Sequence, residues 1–147
     1  MRIVVQRVSS ASCSVEGKIT GEIGKGYLLL VGIEERDTKE IIAHQAYKVA
    51  HLRIFEDEQQ KLNRDIFAVG GAILSISQFT LYGDARKGNR PSFVRAMKGE
   101  QAKEYYEYFN DCLRQEGLRT ETGIFGADMK IALVNDGPVT ILLEEEA

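Results

Sequence analysis

Tyr27 to Ile33 constrains the fold more than any other stretch of this chain, because it is apolar on both of the faces an extended segment presents. Such a run requires cover on both sides. Gly24 and Gly26 mark its start, so it reads as the central strand of a sheet. Around it, Ile3 to Val8, Ala11 to Val15 and Lys18 to Ile23 are short β-branched or alternating segments, separated by Ser9-Ser10 and Glu16-Gly17. They predict antiparallel strands. Leu52 to Phe55 and Ala72 to Phe79 also have strand character, with Asp57 to Gln60 as a polar turn.

Two helices are expected against this sheet. Asp37-Thr38-Lys39-Glu40 has the spacing of a capping box, and Ile42, Ala46 and Val49 follow at helical intervals to about Ala50. From about Glu100 to Gln115, residues Ala102, Tyr105, Tyr106, Phe109, Cys112 and Leu113 form one apolar stripe that Gly117 is placed to stop. The runs Met129 to Val134 and Val139 to Leu143, joined by Asn135-Asp136-Gly137-Pro138, predict a hairpin. No linker or repeat interrupts the chain. The expectation is a single α+β domain, residues 1–147, with two main helices on a mostly antiparallel sheet.

At 147 residues the chain can bury roughly 70% of the surface its unfolded form exposes. With 44% hydrophobic and 28% charged residues it reads as globular. Its longest apolar run is far short of the ~20 residues that a membrane span needs. Ile3-Val4-Val5 is broken at once by Gln6 and Arg7, which does not fit a secretory leader, so a cytoplasmic location is expected. Cys13 and Cys112 lack paired spacing and read as packed thiols. A formal net charge of -3 does not suit a general nucleic-acid binder, so any RNA contact needs a local patch and no DNA partner is expected.

The chain has no Gly-x-Ser-x-Gly elbow, no His-Glu-x-x-His and no Walker loop. Its two histidines, His44 and His51, fall two turns apart on the first helix, about 10 Å along its axis, too far for one metal ion. Neither a metal nor a cofactor is expected. Three constellations remain. Ser77 to Asp84, SQFTLYGD, ends a predicted buried strand; in extended geometry Ser77 and Phe79 share one face, Gln78 and Thr80 the other. It reads either as a core strand whose hydroxyls bond to backbone or as a site. Asn135 to Thr140, NDGPVT, is either a plain turn or a place for a cis Gly137-Pro138 bond. Arg86 to Lys98 holds five cations, no anion, and Phe93. It is either a solvated loop or a surface for phosphate and base contacts.

Taken together, Gln6-Arg7-Val8, Gly21-Glu22-Ile23-Gly24, Ser77 to Leu81, Arg90-Pro91-Ser92-Phe93, Gly126-Ala127-Asp128-Met129 and Asn135 to Thr140 resemble, in order and spacing, the D-aminoacyl-tRNA deacylase family over essentially the whole chain. The resemblance implies an α/β/β layered homodimer that acts on aminoacyl-tRNA. Ser77, Gln78, Phe79 and Thr80 would line the pocket for the aminoacyl-adenosine end. Phe125, Gly126, Ala127 and Met129 would neighbour that end. Gly137-Pro138, cis in this family, would enter the partner's site and exclude L side chains, supported by Arg7, Asn135 and Thr140. Arg86, Lys87 and Arg90 are candidate tRNA contacts by their charge.

The implied reaction is hydrolysis of the ester between tRNA and a D-amino acid or glycine. The sequence offers no evident protein base, which favours help from the terminal 2′-hydroxyl of the RNA, with backbone N–H groups near Phe79 and Thr80 holding the carbonyl. Alternatives are Thr80 as covalent nucleophile, a related deacylase of relaxed chirality with a trans Gly-Pro bond, and a non-catalytic RNA-binding module.

Overall fold

The computed structural model describes all 147 residues. In chain order it has β1 (Arg2–Val15), β2 (Lys18–Ile23), β3 (Gly26–Gly32), α1 (Lys39–His51), β4 (Phe55–Glu56), β5 (Leu62–Arg64), β6 (Ala72–Ser77), a 3₁₀ turn (Phe79–Tyr82), α2 (Gly99–Gln115), β7 (Thr120–Thr122) and β8 (Lys130–Glu144). The apolar run at Tyr27 is central, as its composition requires. β3 lies antiparallel to β1 and parallel to β6, and β7 extends the sheet beyond β6. The remaining main-sheet pairs, β1 with β2 and β1 with β8, are antiparallel.

Two apolar clusters explain why β3 is apolar throughout. Tyr27, Leu29 and Val31 point into a cluster with Ile42, Val49, Phe109 and Leu113 of the helices. Leu28 faces the other way, into a smaller cluster with Val8, Cys13, Ile23, Leu74 and Ile76. That second cluster exists because the sheet folds over itself. β1 changes register against β8 between Gln6 and Ser10, and its Ser9 and Ser10 are exposed. Beyond that point β1, β2 and the first half of β8 cover the face of β3 and β6 that the helices leave open. The result is the layered α/β/β arrangement. At Gly21 the layers approach so closely that a Cβ would stand 2.7 Å from the Thr122 carbonyl oxygen.

The structure corrects several local expectations. Ile3 to Val8 and Ala11 to Val15 are one strand. Met129 to Val134 and Val139 to Leu143 are also halves of one strand, not arms of a hairpin, because both pair with β1 along its whole length. Asn135 to Pro138 is therefore an interruption within a strand; Gly and Pro near a register shift give the same local sequence as a reversing turn. Leu52 to Phe55 contributes only Phe55 to a strand, in the small β4–β5 hairpin. The cap of α1 is Thr38, whose hydroxyl accepts from the Ile41 N–H at 3.3 Å. Asp37 is otherwise engaged: it accepts from the Met1 amine at 2.8 Å and from the Glu34 N–H at 2.7 Å, and its side chain is fully buried.

α2 follows its sequence pattern closely. Ala102, Tyr106, Phe109 and Leu113 are buried, and Gly117 takes the positive φ of 97° that closes the helix. Neither helix is long and apolar enough to cross a membrane. Both cysteines are free, Cys13 buried and Cys112 partly so.

Candidate active site

β6 stops at Ser77 because Gln78 leaves extended geometry, with φ −146° and ψ 79°, and the chain winds into the 3₁₀ turn. The expected strand alternation from Ser77 to Thr80 is thereby replaced. Gln78 is anchored through its N–H to the Val31 carbonyl at 2.8 Å, while Leu81 N–H returns to the Gln78 carbonyl and Gly83 N–H to that of Thr80. The Phe79 and Thr80 N–H groups stand at the start of this turn, where a helical turn has no internal acceptor for its donors.

The turn forms one wall of a pocket of about 290 Å³, lined by Ile76, Ser77, Gln78 and Phe79 on one side and by Phe125, Gly126, Ala127, Met129 and Ile131 on the other. Seven residues expected at the site meet here. Thr80 sits beside them, exposed, and its hydroxyl accepts a hydrogen bond from the Gln78 side-chain amide. Ile76 and Ile131 were not singled out in the sequence. Ile131 was within reach of that reading, since it lies two residues beyond Met129 and a strand repeats its face every second residue. Ile76 is 1% exposed and had no polar signal to distinguish it from ordinary core.

No lining residue carries a titratable side chain. Beneath the pocket, the Tyr106 hydroxyl donates to the Ser75 carbonyl at 2.6 Å and its ring lies 5.9 Å from that of Phe125. Burial pushes that phenol above its ordinary value, so it stays protonated. Both histidines are elsewhere, His44 beside Glu145 at 2.5 Å and His51 beside Glu116 at 3.2 Å. A larger groove of about 550 Å³, between Ser10–Ser12, Glu22–Gly24 and Ala132–Val134, contains none of the expected site residues.

Gly137 and Pro138 do not line the pocket of their own chain. Their peptide bond is cis, and both residues are exposed. Arg7, 4% exposed, lies directly behind them: its Nε donates to the Asp136 carbonyl at 3.0 Å and its Nη1 to the Ile54 carbonyl at 2.8 Å. Any Cβ at Gly137 would stand 3.1 Å from Arg7 Nη2 and 2.9 Å from the Val139 backbone nitrogen. Thr140 pairs with Gln6 in the β1–β8 ladder, and Asn135 accepts a long hydrogen bond, 3.4 Å, from the Gln6 side chain.

The basic segment is exposed around Arg86, Lys87 and Arg90. Arg86 is engaged with Asp84 at 2.7 Å, and hydrogen bonds from Arg86 hold the Asp84 carboxyl well below the usual carboxylate range. Arg95 is bound to Glu34 and Glu146. Phe93 packs edge-on against Phe79, 5.3 Å between ring centres, which joins this loop to the pocket rim.

The chain as a whole matches a known family. Residues 4–144 match the model of the D-Tyr-tRNA(Tyr) deacylase family. The chain belongs to it. A D-aminoacyl-tRNA deacylase of Anoxybacillus flavithermus is 58% identical over 99% of this chain and all of the relative's length. The relative of the same name from Thermus aquaticus is 51% identical over 98% of this chain and 95% of its own. Among solved structures, that of a c-Myc DNA Unwinding Element Binding Protein superposes with a TM-score of 0.93 at 42% identity, covering both chains fully. Another, of a probable eukaryotic D-amino acid tRNA deacylase, has a TM-score of 0.84 at 18% identity over 97% of each chain, a likeness of fold. The deacylase family thus accounts for the whole length of the chain.

Proposed function

We propose that this member of the deacylase family is a tRNA-editing hydrolase that cleaves the ester joining a D-amino acid, or glycine, to the 3′-terminal adenosine of tRNA. One observation carries the mechanism: the pocket lined by Ser77, Gln78, Phe79, Phe125, Gly126, Ala127 and Met129 has hydrogen-bonding groups but no acid or base, Asp128 being exposed outside that lining and paired with Lys130 at 3.0 Å. Positioning and stabilisation of the developing oxyanion, with the RNA's own 2′-hydroxyl helping to activate water, are sufficient for a reactive ester. The Phe79 and Thr80 N–H groups hold the carbonyl oxygen, and Ser77 and Gln78 fix the adenosine end.

The protein acts as a homodimer in the cytosol. Exposure of Gly137 and Pro138 away from their own pocket supports their insertion into the partner's site, where they exclude an L side chain. Glycine has no side chain to clash, so glycyl-tRNA is cleaved as well. Incubation of the full chain with D-Tyr-tRNA and L-Tyr-tRNA tests this directly: rapid release of D-tyrosine with L-Tyr-tRNA intact is expected, and both remaining intact would leave only a binding module.

Thr80 positions the substrate. Its hydroxyl faces an amide rather than a base, so Thr80→Ala should retain activity within about tenfold of wild type, whereas loss of a nucleophile costs far more. Single-turnover hydrolysis of D-Tyr-tRNA distinguishes these outcomes.

Lys87 and Arg90 are the exposed cations of the basic loop best suited to phosphate, since Arg86 and Arg95 already have carboxylate partners. The double variant Lys87→Ala/Arg90→Ala should bind tRNA more weakly and reduce the slope of log affinity against log salt by about 1–2. Duplex DNA belongs in the same titration because the structural relative at 42% identity is named a DNA-unwinding-element binding protein; weaker binding than to tRNA is expected.

A further inference from the structure

We infer that the β4–β5 hairpin is a specificity strut: Ile54, Phe55 and Glu56 set the position of Arg7, and through it the attitude of Gly137-Pro138 toward the substrate. This inference rests on the function proposed above. A guanidinium has five N–H donors and no acceptor, so one that is 4% exposed takes its position from the acceptors around it. Arg7 has three. The Asp136 carbonyl belongs to the Gly-Pro segment, while the Ile54 carbonyl at 2.8 Å and Glu56 Oε1 at 3.4 Å belong to the hairpin and its approach.

The hairpin also supplies an apolar backing. The Phe55 ring lies 5.9 Å from the Arg7 guanidinium carbon and stacks on buried Tyr27, with ring centres 5.4 Å apart and planes 20° from parallel. Tyr27 belongs to the central strand, so Phe55 connects Arg7 to the buried core of the sheet.

The hairpin itself forms a separate two-stranded sheet. Its turn is held by Asp57, which accepts from the Gln59 N–H at 2.8 Å, the Lys61 N–H at 3.0 Å and the Asn63 amide at 3.3 Å. None of these residues lines the substrate pocket. Their effect on the reaction passes through Arg7, which makes them positioning residues for chirality and not for hydrolysis.

Chiral selectivity and hydrolytic rate, which a general loss of structure would lower together, respond separately to a displaced strut. A displaced Gly-Pro wall admits L substrates while the ester-holding turn at Phe79 and Thr80 is untouched. Phe55→Leu removes the ring, Phe55→Tyr retains it, and Glu56→Gln removes a half-exposed charge while keeping the side chain's size. Kinetics of the full chain with D-Tyr-tRNA and L-Tyr-tRNA should show kcat/KM for the L substrate rising about tenfold in Phe55→Leu, by a smaller factor in Glu56→Gln, and returning to wild-type in Phe55→Tyr. D-Tyr-tRNA hydrolysis should stay within about threefold of wild type. The Arg7 Nε–H, bonded to the Asp136 carbonyl at 3.0 Å, should exchange slowly with solvent in the wild type and faster in the first two variants. An unchanged L-to-D ratio with an unchanged Arg7 signal in Glu56→Gln and in folded Phe55→Leu overturns the strut. A wild-type protein that cleaves neither substrate overturns the function on which it rests.

Discussion

Replacing the terminal ribose of D-Tyr-tRNA by its 2′-deoxy form should slow hydrolysis at least about 100-fold, the scale of a lost general acid-base partner. The residues lining the pocket provide amide, hydroxyl and backbone groups but no imidazole, carboxylate or amine to take over the proton. Nor is one close at hand on the turn, where the Thr80 hydroxyl is bonded to the Gln78 amide. The comparison requires 3′-linked aminoacyl esters on both RNAs and single-turnover conditions, so that binding and chemistry are read separately. A deoxy substrate cleaved at the wild-type rate would return the chemistry to a protein group and reopen the case for Thr80. Weaker binding with an unchanged rate at saturation would assign the 2′-hydroxyl to recognition alone.

Gly26→Ala should destabilise the protein by about 3–5 kcal/mol, which for a chain of this size lowers the melting temperature by roughly 10 °C or more. At Gly26 a Cβ would stand 1.8 Å from the Ala72 carbonyl oxygen and 2.7 Å from its nitrogen, and φ is +153°. Both obstacles are backbone, in the parallel pairing of β3 with β6, so no side-chain rotation relieves them. The strands that meet there carry Tyr27 and Ile73 into the main cluster and run on to Ser77 at the pocket. Gly24→Ala is the internal control: it has no atom within 4 Å of the added carbon and no positive φ, and should shift stability by less than about 0.5 kcal/mol. Thermal unfolding of the two variants side by side gives the answer. Equal melting temperatures would mean that β3 and β6 separate more readily than their pairing indicates.

Those two glycines also show what was legible from sequence. Both read equally as punctuation before the apolar run, and only the approach of Ala72, 46 residues away, distinguishes them. α2 was readable almost to the residue because a helix is made by contacts three and four positions apart, all within the window. The C-terminal hairpin was misread for the opposite reason. Asn135-Asp136-Gly137-Pro138 has turn chemistry, but whether its flanking runs pair with each other or with β1 is decided by a partner more than a hundred residues distant. The 3₁₀ turn escaped notice likewise, since Phe79 looks like a core residue in sequence and is 56% exposed at the pocket rim.

At the candidate site, the family resemblance points to positions that residue pattern alone leaves open between structure and function. Folding brings Ser77, Gln78, Phe79, Phe125, Gly126, Ala127 and Met129 around one cavity and keeps Gly137 and Pro138 outside it. The support behind Arg7 was invisible beforehand: Phe55 and Glu56 had no motif, only strand propensity and a charge.

The pairing of β1 with β8 along both strands has a consequence for how the protein is made. Arg2 is matched with Glu144 and Ser14 with Lys130, so β1 leaves the ribosome well before its partner β8 has been made. At about 5–20 residues per second that interval lasts roughly 6–26 seconds, during which β1 can pair with β2 and β3 but presents its other edge unpaired. Such an edge is a template for association with neighbouring chains. The sheet is therefore completed only once β8 has been made, and yield in the cell should depend on chaperone capacity and synthesis rate more than the final stability of the fold would suggest.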